Sequence, residues 1–206
     1  MDKNMLLYPF YSMFHPVEGF EGIKWYKKGS MKVSFVLLFI FFAATIFIRQ
    51  TTGFIFNFNR VDKLNLLMEF SRTILPFILW VVANWSLCTL MDGEGRFSEI
   101  WISTVYALWP YIIVSVPGTI LSNLLAEREG AFLGMIQGIA LGWSLILLIL
   151  AMKEIHQYTL KKTLISMLLT VFGMGVIIFL GVLIFSLFQQ LFLFLYTVYS
   201  EIKFRL

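Results

Sequence analysis

Chemistry-bearing residues are scarce in this chain. Of 206 residues only 14% are charged, two are histidine and one is cysteine. The lone Cys88 excludes an intramolecular disulfide framework, and its place inside an apolar run points to buried packing. His15 and His156 belong to no H-E-x-x-H pattern and no Cys/His cluster is spaced for zinc, so neither metal nor cofactor is expected. No G-x-S-x-G elbow is present to raise a serine nucleophile. The first 30 residues lack a small-residue cleavage pattern, so the first span is expected to double as the insertion signal. Asp, Glu, Lys and Arg are missing from the middle of every long apolar run, where ion-coupled transporters keep an ionisable group.

Apolar residues fill the space. They make up 59% of the chain, against about half in soluble domains, and they are bunched rather than periodic. Apolar runs that read as spans cover Val33 to Ile48, Thr73 to Leu90, Trp101 to Leu125, Ala131 to Met152 and Leu164 to Phe188; the first, about 24 Å long, falls just short of the hydrocarbon thickness and is completed by snorkelling Lys32 and Arg49. The expected fold is therefore all-α: a polytopic integral membrane protein with a five-helix transmembrane bundle. Amphipathic segments are expected at both ends, with residues 1–30 as a juxtamembrane segment, 31–190 as the membrane domain and 191–206 as an aromatic interfacial tail. Gln189 and Gln190 mark the expected exit from the fifth span, although that span could also continue.

Charge orients the bundle weakly. With the N-terminus inside, nine Lys and Arg lie on the inner side and seven on the outer. Four lysines just ahead of the first span (Lys24, Lys27, Lys28 and Lys32) tip the balance toward a cytosolic N-terminus. The formal charge of +4 suits an anionic bilayer surface; the basic residues flank spans, which argues against nucleic acid. Behind Pro16, the residues Val17, Phe20, Ile23 and Tyr26 recur every three positions, predicting a surface helix held to lipid by Lys24, Lys27 and Lys28. Phe54 to Phe58, then Val61, Leu64, Leu67 and Met68, suggest a second surface helix on the other side.

Four constellations could carry function. The polar loop Asp92, Gly93, Glu94, Gly95, Arg96 and Glu99 joins two spans with three carboxylates, one guanidinium and two glycines, and is a candidate docking loop; Ser98 could cap the helix that follows. Ala126, Gly130, Gly134, Gly138 and Gly142 recur every four residues, so they share a helix face that admits a close neighbour. That neighbour could be another span of the same chain or a second molecule. Pro110 and Pro117 should kink the third span, and with Asn84 they are the candidate lining of a pathway. Glu154 and His156 follow the fourth span, where carboxylate and imidazole could interact at the inner surface.

The order of these pieces resembles the Yip (Ypt-interacting protein) domain family, in its bacterial branch. The residues that carry the resemblance are Phe14-His15-Pro16-Val17-Glu18-Gly19-Phe20, the loop Asp92 to Ile100, Tyr106-Ala107-Leu108-Trp109-Pro110-Tyr111, and Glu154-Ile155-His156-Gln157-Tyr158-Thr159. The resemblance implies a five-helix membrane domain with a cytosolic N-terminus. Eukaryotic relatives are linked to small GTPases and vesicle traffic, but the long polar N-terminal region of many of those is missing, so GTPase binding does not carry over. Some bacterial relatives look like companions of carbohydrate-uptake systems.

The expectation is thus a non-enzymatic interaction, assembly or accessory factor in the cell inner membrane. Its partners would be the bilayer and a membrane or cytosolic protein, or a second copy of itself. A small transporter or channel along the third span is the alternative; an intramembrane hydrolase relying on Glu154 or His156 has least support.

Overall fold

Lipid offers no partners to backbone amides, so an apolar chain of this kind must close its hydrogen bonds within helices. The computed structural model describes residues 3–57, 59 and 63–205. Its helices are α1 (Lys3–Phe14), α2 (Pro16–Tyr26), α3 (Met31–Thr51), α4 (Leu66–Leu90), α5 (Phe97–Ser122), α6 (Gly130–His156) and α7 (Leu160–Arg205), with a 3-10 turn at Glu127–Glu129. Five of them, α3 to α7, are long and apolar enough to cross a membrane. The chain is an all-α, membrane-embedded bundle.

Helix α5 is its axis: 61% of its apolar window is buried, against 6% for α7. Its first turns, Ile100 to Ala107, meet Phe20 and Ile23 of α2, Val33 and Leu37 of α3, Phe77 and Val81 of α4, and Leu147 to Ile155 of α6 in one core. That core lies toward the end of the bundle that carries the loop after α4, called here the near end. At the opposite, far end, α3 is tied to α5 by polar bonds. Gly53 N donates to Ser122 Oγ (2.8 Å), and Asn123 Nδ2 donates to the Thr51 carbonyl (2.8 Å). A side chain at Gly53 would sit 2.3 Å from the Ser122 carbonyl oxygen, so the contact demands glycine.

Helix boundaries move where polar residues found partners. Helix α4 starts at Leu66, seven residues ahead of the Thr73 expected, because Asn65 caps it through Leu67 N and Met68 N. The added turns bring in Glu69, a buried carboxylate that pairs with Arg49 at the end of α3 and lies 4.0 Å from Arg72. The expected second surface helix does not form: residues 54–56 turn, residues 63–65 are irregular, and Leu67 and Met68 belong to α4. Phe58 and Val61, also assigned to it, and Arg60 of the charge count, lie outside the described residues. Helix α7 continues without a break to Arg205, about 69 Å at 1.5 Å per residue and more than twice the hydrocarbon thickness. Gln189 and Gln190 therefore interrupt no helix.

The near-end helices before the first span form a hairpin that sequence periodicity only half anticipates. Helix α1 crosses α2 at Gly19, where an added Cβ would lie 2.7 Å from Ser12 Cα, and the Tyr8 hydroxyl donates to the Gly19 carbonyl (2.9 Å). Phe10 of α1 packs edge-on against Trp109 of α5, with ring centroids 5.9 Å apart. Trp109 also lines a gap with Leu37 and Leu38, two turns into α3, so α1 reaches below the level at which the first span begins.

The Arg49–Glu69 pair yields a prediction. Glu69→Ala leaves a guanidinium with little solvent and should lower stability by about 3–5 kcal/mol, whereas replacing both residues by Met should restore most of it. Thermal unfolding in detergent reads both; a single variant as stable as the parent would remove the pair from the account of α3–α4 packing.

Candidate functional site

Three helices end at the near end in the same way. Lys27 (φ 50°), Asp92 (φ 58°) and Gln157 (φ 56°) take the left-handed conformation after α2, α4 and α6. The next residue in each case, Lys28, Gly93 or Tyr158, donates its amide back to the carbonyl of Gly22, Cys88 or Lys153. These closures satisfy helix-end carbonyls and turn each chain sharply, a task that glycine performs more often. The turn at Asp92 aims the following loop back over the bundle.

What lies under that loop is His156. Its side chain is 1% exposed. Helix α4 contributes Asn84, whose Nδ2 donates to Thr170 Oγ1 of α7 (3.1 Å), while Thr170 donates to the Ser166 carbonyl. The carboxamide oxygen is therefore the atom facing the ring, and His156 Nε2, 2.9 Å away, carries the proton. Nδ1 keeps a lone pair and no partner among the described residues. The loop rests on that ring through its glycines. A Cβ on Gly93 would come 2.8 Å from Nδ1, and one on Gly95 would come 2.6 Å from Cε1 and 2.7 Å from Nδ1. Two glycines are needed here for close approach, not for backbone freedom.

Tyr158 closes the side of the pocket. Its ring stacks on His156 at 5.4 Å, and its hydroxyl lies 3.2 Å from the Cys88 carbonyl and 3.1 Å from that of Met91. Burial first, then Cys88 and Asp92, push this phenol above its ordinary range, so it stays protonated and donates. Lys162 sits over the other side of the ring, 4.2 Å from its centroid.

Lys24 ties α2 to the same loop. Its ammonium donates to the Glu94 carbonyl and lies 3.5 Å from Glu99 Oε2, which also accepts the Arg96 amide (3.0 Å). Arg96, not Ser98, is thus the N-cap of α5, with Glu99 reaching back to its amide as half of a capping box. Lys24 was expected to hold α2 to lipid; it points inward instead. The loop is pinned by glycine contacts below and lysine beside it, yet Asp92, Glu94 and Arg96 remain exposed.

The other predicted residues scatter. Glu154 pairs with Lys153 (2.7 Å) and makes no bond to His156. Asn84 lies six residues from the end of α4, about 9 Å below the loop, whereas Pro110 and Pro117 lie about 20 and 30 Å along α5. Pro110 is buried and Pro117 exposed, and both lie well apart from Asn84 along the bundle. Beside Pro110, the Tyr111 amide donates to Ser144 Oγ of α6 (3.2 Å), a use for the helix bond that proline loosens. The glycine face is also divided. Ala126 precedes α6, and Gly130 lies under the Phe56 ring, but Gly134, Gly138 and Gly142 have open space where a Cβ would be. Those three pack against no other span of this chain. Among the described residues no three His, Cys, Asp or Glu side chains gather as metal ligands would.

The pairing of Asn84 with His156 has no signature in the sequence, because His156 stands among Lys153, Glu154, Gln157 and Tyr158, each able to hydrogen-bond. Compared with known families, the chain matches the Yip1 domain over residues 10–183. No curated protein and no solved structure matches it.

Gly95→Ala should lift the loop off His156 and destabilise the near end by about 1–3 kcal/mol through overpacking. The sole cysteine reports the change. Cys88, fully buried, should resist maleimide in the parent and react in Gly95→Ala, while Gly95→Ala with His156→Ala should restore protection. Equal labelling of parent and single variant would mean that the ring does not support the loop.

Proposed function

The chain belongs to the Yip1 domain family, and on that premise we propose that it is a non-enzymatic interaction or assembly factor, of the bacterial branch, embedded in the cell inner membrane with its near end in the cytosol. The observation that carries this reading is the loop from Asp92 to Arg96. Its backbone is fixed from below by His156 and from the side by Lys24, while the charged ends of Asp92, Glu94 and Arg96 face outward. A rigid charged loop loses little entropy on docking, and its mixed charges select register more than they add affinity. The partner is a cytosolic or membrane protein that presents complementary charges, and a carbohydrate-uptake system is the first candidate. The imidazole supports the loop and takes part in no reaction.

Photo-crosslinking from Ser98 in native membranes tests this. The parent should give a discrete adduct with another protein, and Glu94→Lys with Arg96→Glu should cut its yield about tenfold without altering thermal stability. A parent that yields no adduct would contradict the docking role.

The open face of α6 supports a second contact, within the bilayer. Gly134, Gly138 and Gly142 allow close backbone approach, where van der Waals contact and Cα–H hydrogen bonds hold helices in lipid. Since no span of this chain covers them, Gly138→Leu should leave the folded monomer intact but reduce the size of the complex in gentle detergent. Unchanged complex size would remove this face from assembly.

A further inference from the structure

The crevice between α1 and the turn that joins α2 to α3 has a composition that the docking reading does not use. It is a shallow groove of about 350 Å³, open to the surroundings and lined by Leu7, Tyr8, Tyr11 and Lys28. Leu7 and Tyr11 are exposed on α1, beside the equally exposed Leu6 and Phe10. Four large apolar side chains on one short helix are costly in water and favourable in a leaflet. The Phe10–Trp109 contact places α1 at the depth of the first turns of α3, where acyl chains begin. Lys28 lies at the other edge of the crevice. It forms no ion pair among the described residues, and its ammonium is 5.3 Å from the Tyr26 ring centroid. Burial, then Tyr11 and Tyr106, push Tyr8 up to about 12, so that phenol stays neutral and adds no repulsion toward an anion. Glu18, the carboxylate touching Tyr11, already accepts that hydroxyl (2.7 Å).

We propose that this crevice binds one anionic phospholipid of the leaflet in which α1 lies, with the phosphate against Lys28 and an acyl chain along Leu7 and Phe10. A groove that sets Leu7 and two tyrosine rings beside a single unpaired ammonium matches an amphiphile better than it matches a soluble anion. Binding of this kind would cover the outer face of α1, whose inner face already packs on α2 and α5 through Tyr8, Ser12 and Met13.

The test uses the full chain in nanodiscs of phosphatidylcholine alone or mixed with phosphatidylglycerol. Native mass spectrometry after release should show one retained phosphatidylglycerol, enriched over phosphatidylcholine. Lys28→Gln should lower that retention about fivefold, the effect of one basic residue at a membrane surface, with Lys28→Arg retaining it and thermal unfolding unchanged. Lys27→Gln, on the same exposed turn, should have little effect. Retention in Lys28→Gln equal to the parent would overturn the proposal, and so would equal losses in Lys27→Gln and Lys28→Gln, which would mean diffuse attraction to the basic turn. Should Lys28→Gln not fold, the parent still decides: retention with no preference for phosphatidylglycerol ends the proposal. A thermal shift with inorganic phosphate in detergent as large as that with phosphatidylglycerol would identify a free phosphate site instead.

Discussion

An imidazole and a carboxamide inside an apolar bundle must find each other, because lipid supplies neither donor nor acceptor. The bond between Asn84 and His156 meets that requirement, and the near end is arranged about it. Asn84 is oriented by Thr170, so α4, α6 and α7 meet at one polar point. The ring then becomes a floor for the loop after α4, and the loop in turn receives Lys24 from α2. Four helices and one loop are thus positioned by side chains that each make only one or two bonds.

The two ends of the molecule are built on different principles. At the near end a shared core and a polar chain converge on α5, with the helix ends closed by left-handed turns. The far end is held by a few specific ties, Arg49 to Glu69 and Gly53 to Ser122, and beyond them α6 and α7 spread exposed apolar surface. In water such surface would be a liability. In a bilayer it is neutral, which is why the same chain can be tightly determined at one end and open at the other.

Long apolar runs made the five spans legible from sequence, since length and hydropathy alone decide whether a helix can cross lipid. Their ends were less legible. Helix α4 starts earlier than hydropathy suggests because Asn65 caps it, and Glu69 in the added turns is paired with Arg49, 20 positions earlier in the chain. Ser98 is a better cap of α5 by residue type, yet the cap is Arg96, because Glu99 reaches back to its amide. The loop and the segment after α6 were both singled out by composition, but their contact depends on two glycines whose use is visible only once His156 lies beneath them. Pro110 and Pro117 share a helix face by spacing, yet α5 presents one to the core and the other to the surroundings, a difference of depth that spacing does not encode. Helix α1 carries Pro9 in its middle, a residue that weakens any helical signal in a stretch this short.

The bond from Asn84 to His156 spans 72 residues of chain, and that from Asn84 to Thr170 spans 86. A ribosome therefore delivers α4 and the loop well before either partner exists. Until α6 and the start of α7 have entered the membrane, the loop has no floor and Asn84 has an unmet carboxamide. The near end can therefore take its shape only after the later spans have arrived, and a seated loop presupposes them.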